Sequence, residues 1–400
     1  MKRWLIGIGV VFLLSAIAVS AHLYVIQRMV TDAGLGSAGA GLAKTVVWSG
    51  FAAMLAQPFV GRVAPRWLAR PLSRFASTWM ALLFWLLVAL GVSDALLAIS
   101  GGLDTPRVGA LRAAGVASLV LALAAVAHRG ARRAPRDVRV EIELARWPSA
   151  LDGYRVVQLS DIHIGPALGR RFAEALTRRV NALGADLVVL TGDLVDGSRA
   201  ALEAEVAPFR ELRGRDGVFF VTGNHDFYSG AADWCEYVSE LGIRVLRNEH
   251  VVIGGGDAGA SFVLAGVDDH RSGGLRSGGG EDLERALDGR PGELATLLLA
   301  HDPTTFKRAQ GMGIDLQLSG HTHGGQIWPF QYLVRLAVPF VAGRYRRAGA
   351  ELYVSRGTGF WGPAMRLGAP AEVTEIVLRA PRPRSTAGAR NFALPGTAPS

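Results

Sequence analysis

Asp161 and His163 are separated by one residue, and so are His321 and His323; between them in the chain come Asp193, the pair Asn224-His225, and His301. In an extended segment, residues two apart point to the same face, so each X-x-X pair can offer two side chains to one point. All eight residues carry oxygen or imidazole donors, and no thiolate stands among them. That donor chemistry suits Mn²⁺, Fe or Zn²⁺. The single cysteine, Cys235, excludes both an intrachain disulfide and a Cys-rich zinc site. A carboxylate can bridge two such cations, and a pair about 3.5–4 Å apart polarises a phosphoryl group and activates water together. The chemistry to expect is therefore metal-assisted hydrolysis at phosphorus. No Cys or Ser nucleophile motif, P-loop or dinucleotide fingerprint competes with it.

The elements that must position these groups are short apolar runs, each ending at one of them. Arg155–Leu159 leads to Ser160-Asp161-Ile162-His163, Leu187–Leu190 to Thr191-Gly192-Asp193, and Val218–Val221 to Thr222-Gly223-Asn224-His225-Asp226. Phe262–Ala265 ends at Gly266-Val267-Asp268-Asp269, Ala295–Ala300 at His301, and Asp315–Leu318 at Ser319-Gly320-His321-Thr322-His323. Helical spacing in Phe172–Leu183 alternates with these strands, which argues for a layered α/β architecture. Polar residues gathered where strands stop mark the carboxyl edge at which α/β proteins bind ligands. The glycines before Asp193, Asn224 and His321 are expected to let the backbone turn sharply.

Taken together, Asp161-x-His163, Gly192-Asp193-x-x-Asp196, Gly223-Asn224-His225-Asp226, His301 and Gly320-His321-Thr322-His323 resemble the calcineurin-like metallophosphoesterase superfamily over residues 138–380. The strings from Gly320 to Ile327 and from Ser355 to Pro363 look like its YkuE/YaeI-type, membrane-associated bacterial branch. The resemblance implies a four-layer sandwich of two mixed sheets flanked by helices. It implies one cation on Asp161, His163 and His323, a second on Asn224, His301 and His321, and Asp193 as the bridge. His225 is implied as the acid that protonates the leaving oxygen, with Asp226 as its orienting partner and Asp196 as a structural residue of its loop. The implied reaction is in-line hydrolysis of a phosphodiester or pyrophosphate. A lipid-linked or nucleotide-activated glycolipid such as UDP-diacylglucosamine is one candidate substrate. Soluble nucleotides are another, and a non-catalytic metal-bound sensor or scaffold is the rival class.

Ahead of this region lie four apolar stretches, roughly Trp4–Ile26, Thr45–Val60, Phe75–Ile99 and Val108–Ala127. A membrane span needs about 20 mostly apolar residues. The second stretch is the weakest, with Gln57 and Pro58 inside it. The expected organisation is a transmembrane anchor over residues 1–130, a catalytic domain over 131–380 and a disordered tail over 381–400. Residues 1–139 hold 15 basic against 4 acidic side chains, whereas residues 140–400 hold 28 against 30. The basic charge thus belongs to membrane flanks and tail, and no nucleic-acid partner is expected. Four spans put the clusters at Arg62–Arg74 and Arg129–Arg139 on one side. The positive-inside rule then places the catalytic domain on the cytoplasmic face of a bacterial inner membrane, as a multi-pass protein. No ionisable cluster is expected mid-span, which disfavours a transport pathway.

Arg356 and Arg366, flanking Gly357-Thr358-Gly359-Phe360-Trp361, are candidates for bidentate phosphate binding. Trp328, Phe330, Trp361 and the run Tyr332–Val341 suit either a lip touching lipid or core packing. Ser272–Gly280 reads as a flexible surface insert.

Overall fold

A computed structural model describes residues 2–63, 66–102, 105–254, 259–270 and 280–381. The tail from residue 382 and most of the Ser272–Gly280 insert lie outside them.

The chain opens with four long helices: α1 Lys2–Ile26, α2 Ser37–Val63, α3 Arg66–Ser100 and α4 Pro106–Ala131. All four are long and apolar enough to cross a membrane. α2 begins well before the apolar stretch seen in the sequence, because Ala and Gly around Lys44 dilute hydropathy without breaking a helix. With 35 residues, α3 is about 50 Å long and overshoots the roughly 30 Å hydrocarbon core. Its first turns, bearing Arg70 and Arg74, reach the sheet-containing part of the chain.

An ionisable cluster lies between the helices toward one end of the bundle, away from mid-span, about six residues in from the C-terminus of α3 and the N-terminus of α4. Asp94 accepts from Tyr24 Oη (2.7 Å), Arg28 Nε (3.0 Å) and Arg112 Nη1 (3.2 Å). Asp32 accepts from Arg28 Nη1 and Arg112 Nη2, both at 2.9 Å. Two carboxylates answered by two guanidiniums clasp the end of the bundle remote from the sheets.

The strands are β1 Arg136–Glu143, β2 Tyr154–Leu159, β3 Leu187–Thr191, β4 Val218–Val221, β5 Arg244–Val245, β6 Glu249–Ile253, β7 Phe262–Gly266, β8 Thr296–Leu299, β9 Leu316–Ser319, β10 Gly343–Arg347, β11 Ala350–Val354 and β12 Glu372–Arg379. They form two six-stranded mixed sheets, ordered β1-β12-β2-β3-β4-β5 and β10-β11-β9-β8-β7-β6. β2 through β5 are parallel, as are β7, β8, β9 and β11. Strand periodicity explains the stacking. Leu187, Val189, Phe219 and Val221 face the second sheet, meeting Leu297, Leu299, Leu316 and Leu318. Their alternates Val188, Leu190 and Phe220 face outward onto helices. Among those helices, α5 (Arg170–Ala182) buries Ala173, Leu176, Thr177 and Val180, the i, i+3, i+4, i+7 stripe of an amphipathic helix. On the far side, Ala265 and Leu298 pack under helix Leu283–Leu287. The expected four layers, helix–sheet–sheet–helix, are present.

Bundle and sandwich are packed together. Ile327 and Met365 join the buried cluster of Trp85, Val120 and Ala127, each contributing roughly 1.5–3 kcal/mol of apolar burial. Trp85 Nε1 donates to the Trp328 carbonyl (2.8 Å), Arg366 N to the Ala127 carbonyl (2.8 Å), and Arg74 Nη2 to the Pro166 carbonyl (3.0 Å). The aromatic run divides between its two readings. Helix Gln331–Ala337 has no buried residue, and Trp328, Tyr332, Leu333 and Leu336 are exposed beside α3; Val338 and Phe340 enter the core.

Candidate metal centre

The carboxyl ends of β2, β3, β4, β8 and β9 meet at one rim, and the structure brings all seven expected metal ligands there. On one side of Asp193, His163 Nε2 and His323 Nε2 lie 3.1 Å apart, with Asp161 Oδ1 3.3 Å from His323 Nε2. On the other side, His301 Nε2 and His321 Nδ1 lie 3.2 Å apart. The same oxygen, Asp193 Oδ2, is 3.7 Å from His163 Nε2 and 3.3 Å from His301 Nε2. The groups Asp161–His163–His323 and Asp193–His301–His321 each converge closely enough to hold a cation. Asn224 Oδ1 is buried and has no hydrogen-bond partner, a costly arrangement unless a cation completes it. The donor set therefore fits divalent metal ions.

Ring orientation is fixed from behind. His163 Nδ1 meets Asp196 Oδ1 at 3.0 Å, and His301 Nδ1 meets the Thr191 carbonyl at 2.8 Å. Both partners are acceptors, so each Nδ1 carries the proton and each Nε2 turns its lone pair inward. Each of these lone pairs faces a second ring nitrogen 3.1–3.2 Å away, on His323 and His321 respectively, a distance that requires something positive between the two. Without metal, a proton does so. Burial disfavours the His163 cation, but Asp196, Asp193 and Asp161 outweigh it and push the pKa up to about 9. His301 is raised likewise by Asp193 and Asp161 against the penalty of burial. His323 goes the other way: burial, His163 and Arg366 hold it well below the ordinary histidine range. For the carboxyls, burial pushes up Asp161. Asp193 resists the same burial because His301 and His163 hold it well below the usual range.

The backbone is strained here. Asp161, His163, Asp193, His321 and His323 all have φ between 51° and 73°, a left-handed conformation that costs a non-glycine residue about 1–3 kcal/mol. Of the three glycines expected to turn sharply, only Gly192 has positive φ (89°). Gly223 and Gly320 are required by proximity instead. A Cβ on Gly223 would stand 2.2 Å from Asp193 Oδ1, and one on Gly320 would stand 2.2 Å from Asp161 Oδ2.

Three expected roles change. Asp226 does not reach the His225 ring. Its carboxylate accepts from the amides of Gly223, Asp193, Leu194 and Val195 at 2.8–3.3 Å, holding the ligand loop in shape. Burial and neighbouring Asp193 push Asp226 up to about 7, against the pull of those amides. The residue that reaches His225 Nδ1 is Asp196, at 2.7 Å through the same Oδ1 that meets His163. Burial works against the charge on Asp196, but His163 and His225 keep it well below the usual carboxylate range. The Gly-Asp-x-x-Asp spacing was the available signal. Arg366 is buried, with donors committed to the Gly359 and Ala369 carbonyls and Nη2 against His323 Nδ1, so it backs a ligand and presents no fork to substrate. Arg356 pairs with buried Glu372 through Nη1 at 2.9 Å.

A cleft of about 660 Å³ opens over His163, Asp196 and His225, and its opposite wall is membrane-helix residues: Gln57 of α2 and Ser73, Arg74, Ser77 and Met80 of α3. His225 sits there between Tyr228 and Trp361, at ring distances of 5.5 and 5.9 Å.

Residues 154–325 match the calcineurin-like phosphoesterase family. A metallophosphoesterase of Aquifex aeolicus is 34% identical over 250 residues, covering 60% of this chain and 92% of that one. The chain belongs to this family. It is also 41% identical over 289 residues to a bovine transmembrane protein with metallophosphoesterase domain, covering 70% of this chain and 65% of the relative. The Bacillus subtilis metallophosphoesterase YkuE is 29% identical over 239 residues, covering 58% and 81%. The chain thus spans just under two thirds of the bovine relative's length.

Proposed function

We propose that the chain is a membrane-anchored hydrolase of a phosphodiester or pyrophosphate bond that works with two divalent cations. The supporting observation is the pair of facing nitrogens on either side of one carboxylate: His163/His323 and His301/His321, with Asp193 Oδ2 reaching both. Asp161, His163 and His323 would hold one ion, Asn224, His301 and His321 the other, with Asp193 shared. Mn²⁺, Fe and Zn²⁺ all suit these donors. When bound, such a pair supplies Lewis acidity for the phosphoryl oxygens and activation of the attacking water.

The chain's own groups do the rest. Asp196 fixes the His225 ring through Nδ1 and leaves Nε2 toward the cleft as proton donor. Water adds to phosphorus, the bond to the leaving oxygen breaks, and that oxygen takes its proton from His225. Tyr228 and Trp361 flank the ring edge-on. A wall built from α2 and α3 favours a substrate resident in the membrane over a soluble nucleotide. Among such substrates is UDP-diacylglucosamine. The arginines at 70, 74, 129, 132 and 133 lie at the sandwich end of the bundle, so the positive-inside rule puts the site on the cytoplasmic face.

The test is a panel on full-length protein with Mn²⁺: bis-p-nitrophenyl phosphate, nucleotide-diphosphate sugars and their acylated forms. Turnover of at least one class, abolished by His225→Ala with metals retained, is expected. Full activity in that variant would refute the acid assignment.

A further inference from the structure

The cleft over the metal centre continues into a second, larger one. Arg74, Ser77, Ala167, Phe360 and Gly362 line both. The second has a volume of about 980 Å³, at the top of the roughly 300–1,000 Å³ range of small-molecule sites. One wall is the sandwich-proximal ends of α3 and α4, including Thr78 and Ala124; the other is α5, through Phe172, Ala175 and Leu176. Its surface is mostly apolar. α5 has solvent-facing polar residues elsewhere, yet here it shows Phe172 and an exposed Ala175 to the membrane helices. The rim is basic: Arg132 and Arg133 are exposed at the end of α4, and Arg179 stands opposite, paired with Asp137 at 2.7 Å.

Three features together select one occupant. The space is continuous with the metal centre, so a single molecule can fill both. Half of its wall is helix that crosses the bilayer, so it opens where lipid head groups lie. Arginines ring an apolar interior, which suits an amphiphile with an anionic head. We propose that this cleft takes the acyl chain of the substrate, which is therefore an acylated phosphoester: its phosphoryl group lies under His225 and Arg74, and its chain lies between α4 and α5. This deepens the hydrolase reading and rests on it.

The experiment uses full-length protein in phosphatidylcholine nanodiscs with Mn²⁺ and two chromogenic diesters that differ only in chain, methyl p-nitrophenyl phosphate and hexadecyl p-nitrophenyl phosphate. Ala175→Trp and Ala124→Trp fill the second cleft without touching a proposed ligand. Their kcat/KM on the hexadecyl ester should fall about tenfold or more, with the methyl ester unchanged, which also shows that the variants fold. Equal effects on the two esters, or none, would overturn the proposal. In parallel, a phosphatidylglycerol with a diazirine on its acyl chain is photolysed in the same nanodiscs. Labelling of α5, which lies outside the bilayer, is expected. Labelling confined to the outward faces of α1–α4 would mean ordinary boundary lipid and contradict the assignment. If neither ester is cleaved, the hydrolase reading fails, and labelling of α5 still decides whether the cleft holds a chain.

Discussion

In the helical bundle, Asp32 and Asp94 meet Arg28 and Arg112; at the strand ends, Asp161 and Asp193 meet four imidazoles. Both clusters bury charge, but only in the first does each anion have a cation to match it. Two anions face two cations there, and each carboxylate accepts from both guanidiniums. At the strand ends, ring nitrogens face one another at 3.1–3.2 Å, Asn224 Oδ1 has no hydrogen-bond partner among the described residues, and five residues hold strained left-handed backbone. A cluster made for holding helices together matches its own charges. A cluster made for binding leaves groups unsatisfied for something else to complete, and the sandwich supplies the stability that holds it in that state.

The contrast can be tested from its strongest consequence downward. Asp193→Asn removes the group shared by both ion positions, so metal content should fall below one ion per chain and turnover should fall by about a thousandfold or more. Elemental analysis beside the hydrolysis assay reads both, and two retained ions would break the assignment. His225→Ala should keep the metals and cost about 10²–10⁴-fold in kcat, the usual worth of a general acid. Asp196→Asn loosens His163 and His225 together and should cost about 10–100-fold in activity or metal affinity; an equal loss in Asp226→Asn with none in Asp196→Asn would restore the reading taken from sequence.

Acid should weaken metal binding. Without ions, His163 holds a proton up to about pH 9 and His301 holds one too, and each must leave before its nitrogen can bind a cation. Apparent affinity should therefore rise from pH 6 toward 9, about tenfold per unit for each proton displaced. Calorimetry in buffers of different ionisation enthalpy would detect the released protons, and a pH-independent affinity would contradict this. The smallest effect on chemistry belongs to the bundle. Asp94→Ala leaves Arg28 and Arg112 to share Asp32 and should cost about 1–3 kcal/mol of stability, seen as a lowered thermal midpoint, with kcat per folded molecule unchanged. A loss of kcat would tie that cluster to the reaction.

Much of this was legible in the residues. Strands ending at Asp161, Asp193, Asn224, His301 and His321 announce themselves because a buried parallel strand is a short apolar run, and because a rim of polar residues must follow it. The short edge strand β5 and the strands β10–β12 carry weaker patterns, being exposed or separated from the ligand motifs. The exchange of roles between Asp196 and Asp226 was not legible. Both acids lie within three residues of a ligand, and which one reaches the imidazole depends on the left-handed turn at Asp193 and on the amides it exposes to Asp226. Arg366 looked like a phosphate fork because burial is a property of packing: its guanidinium is enclosed by Gly359, Ala369 and His323 of the sandwich, with α4 docking on its backbone amide through Ala127. The wall that α2 and α3 place across the metal centre depends on that same docking, which no local pattern encodes.

The most direct test is to count divalent ions in the purified full-length protein and to assay the same sample for phosphodiester hydrolysis before chelation, after it, and after Mn²⁺ is restored. Two ions per chain, with activity that disappears and returns with them, is the predicted result. A protein that binds none, or that hydrolyses equally well once stripped, would contradict the account.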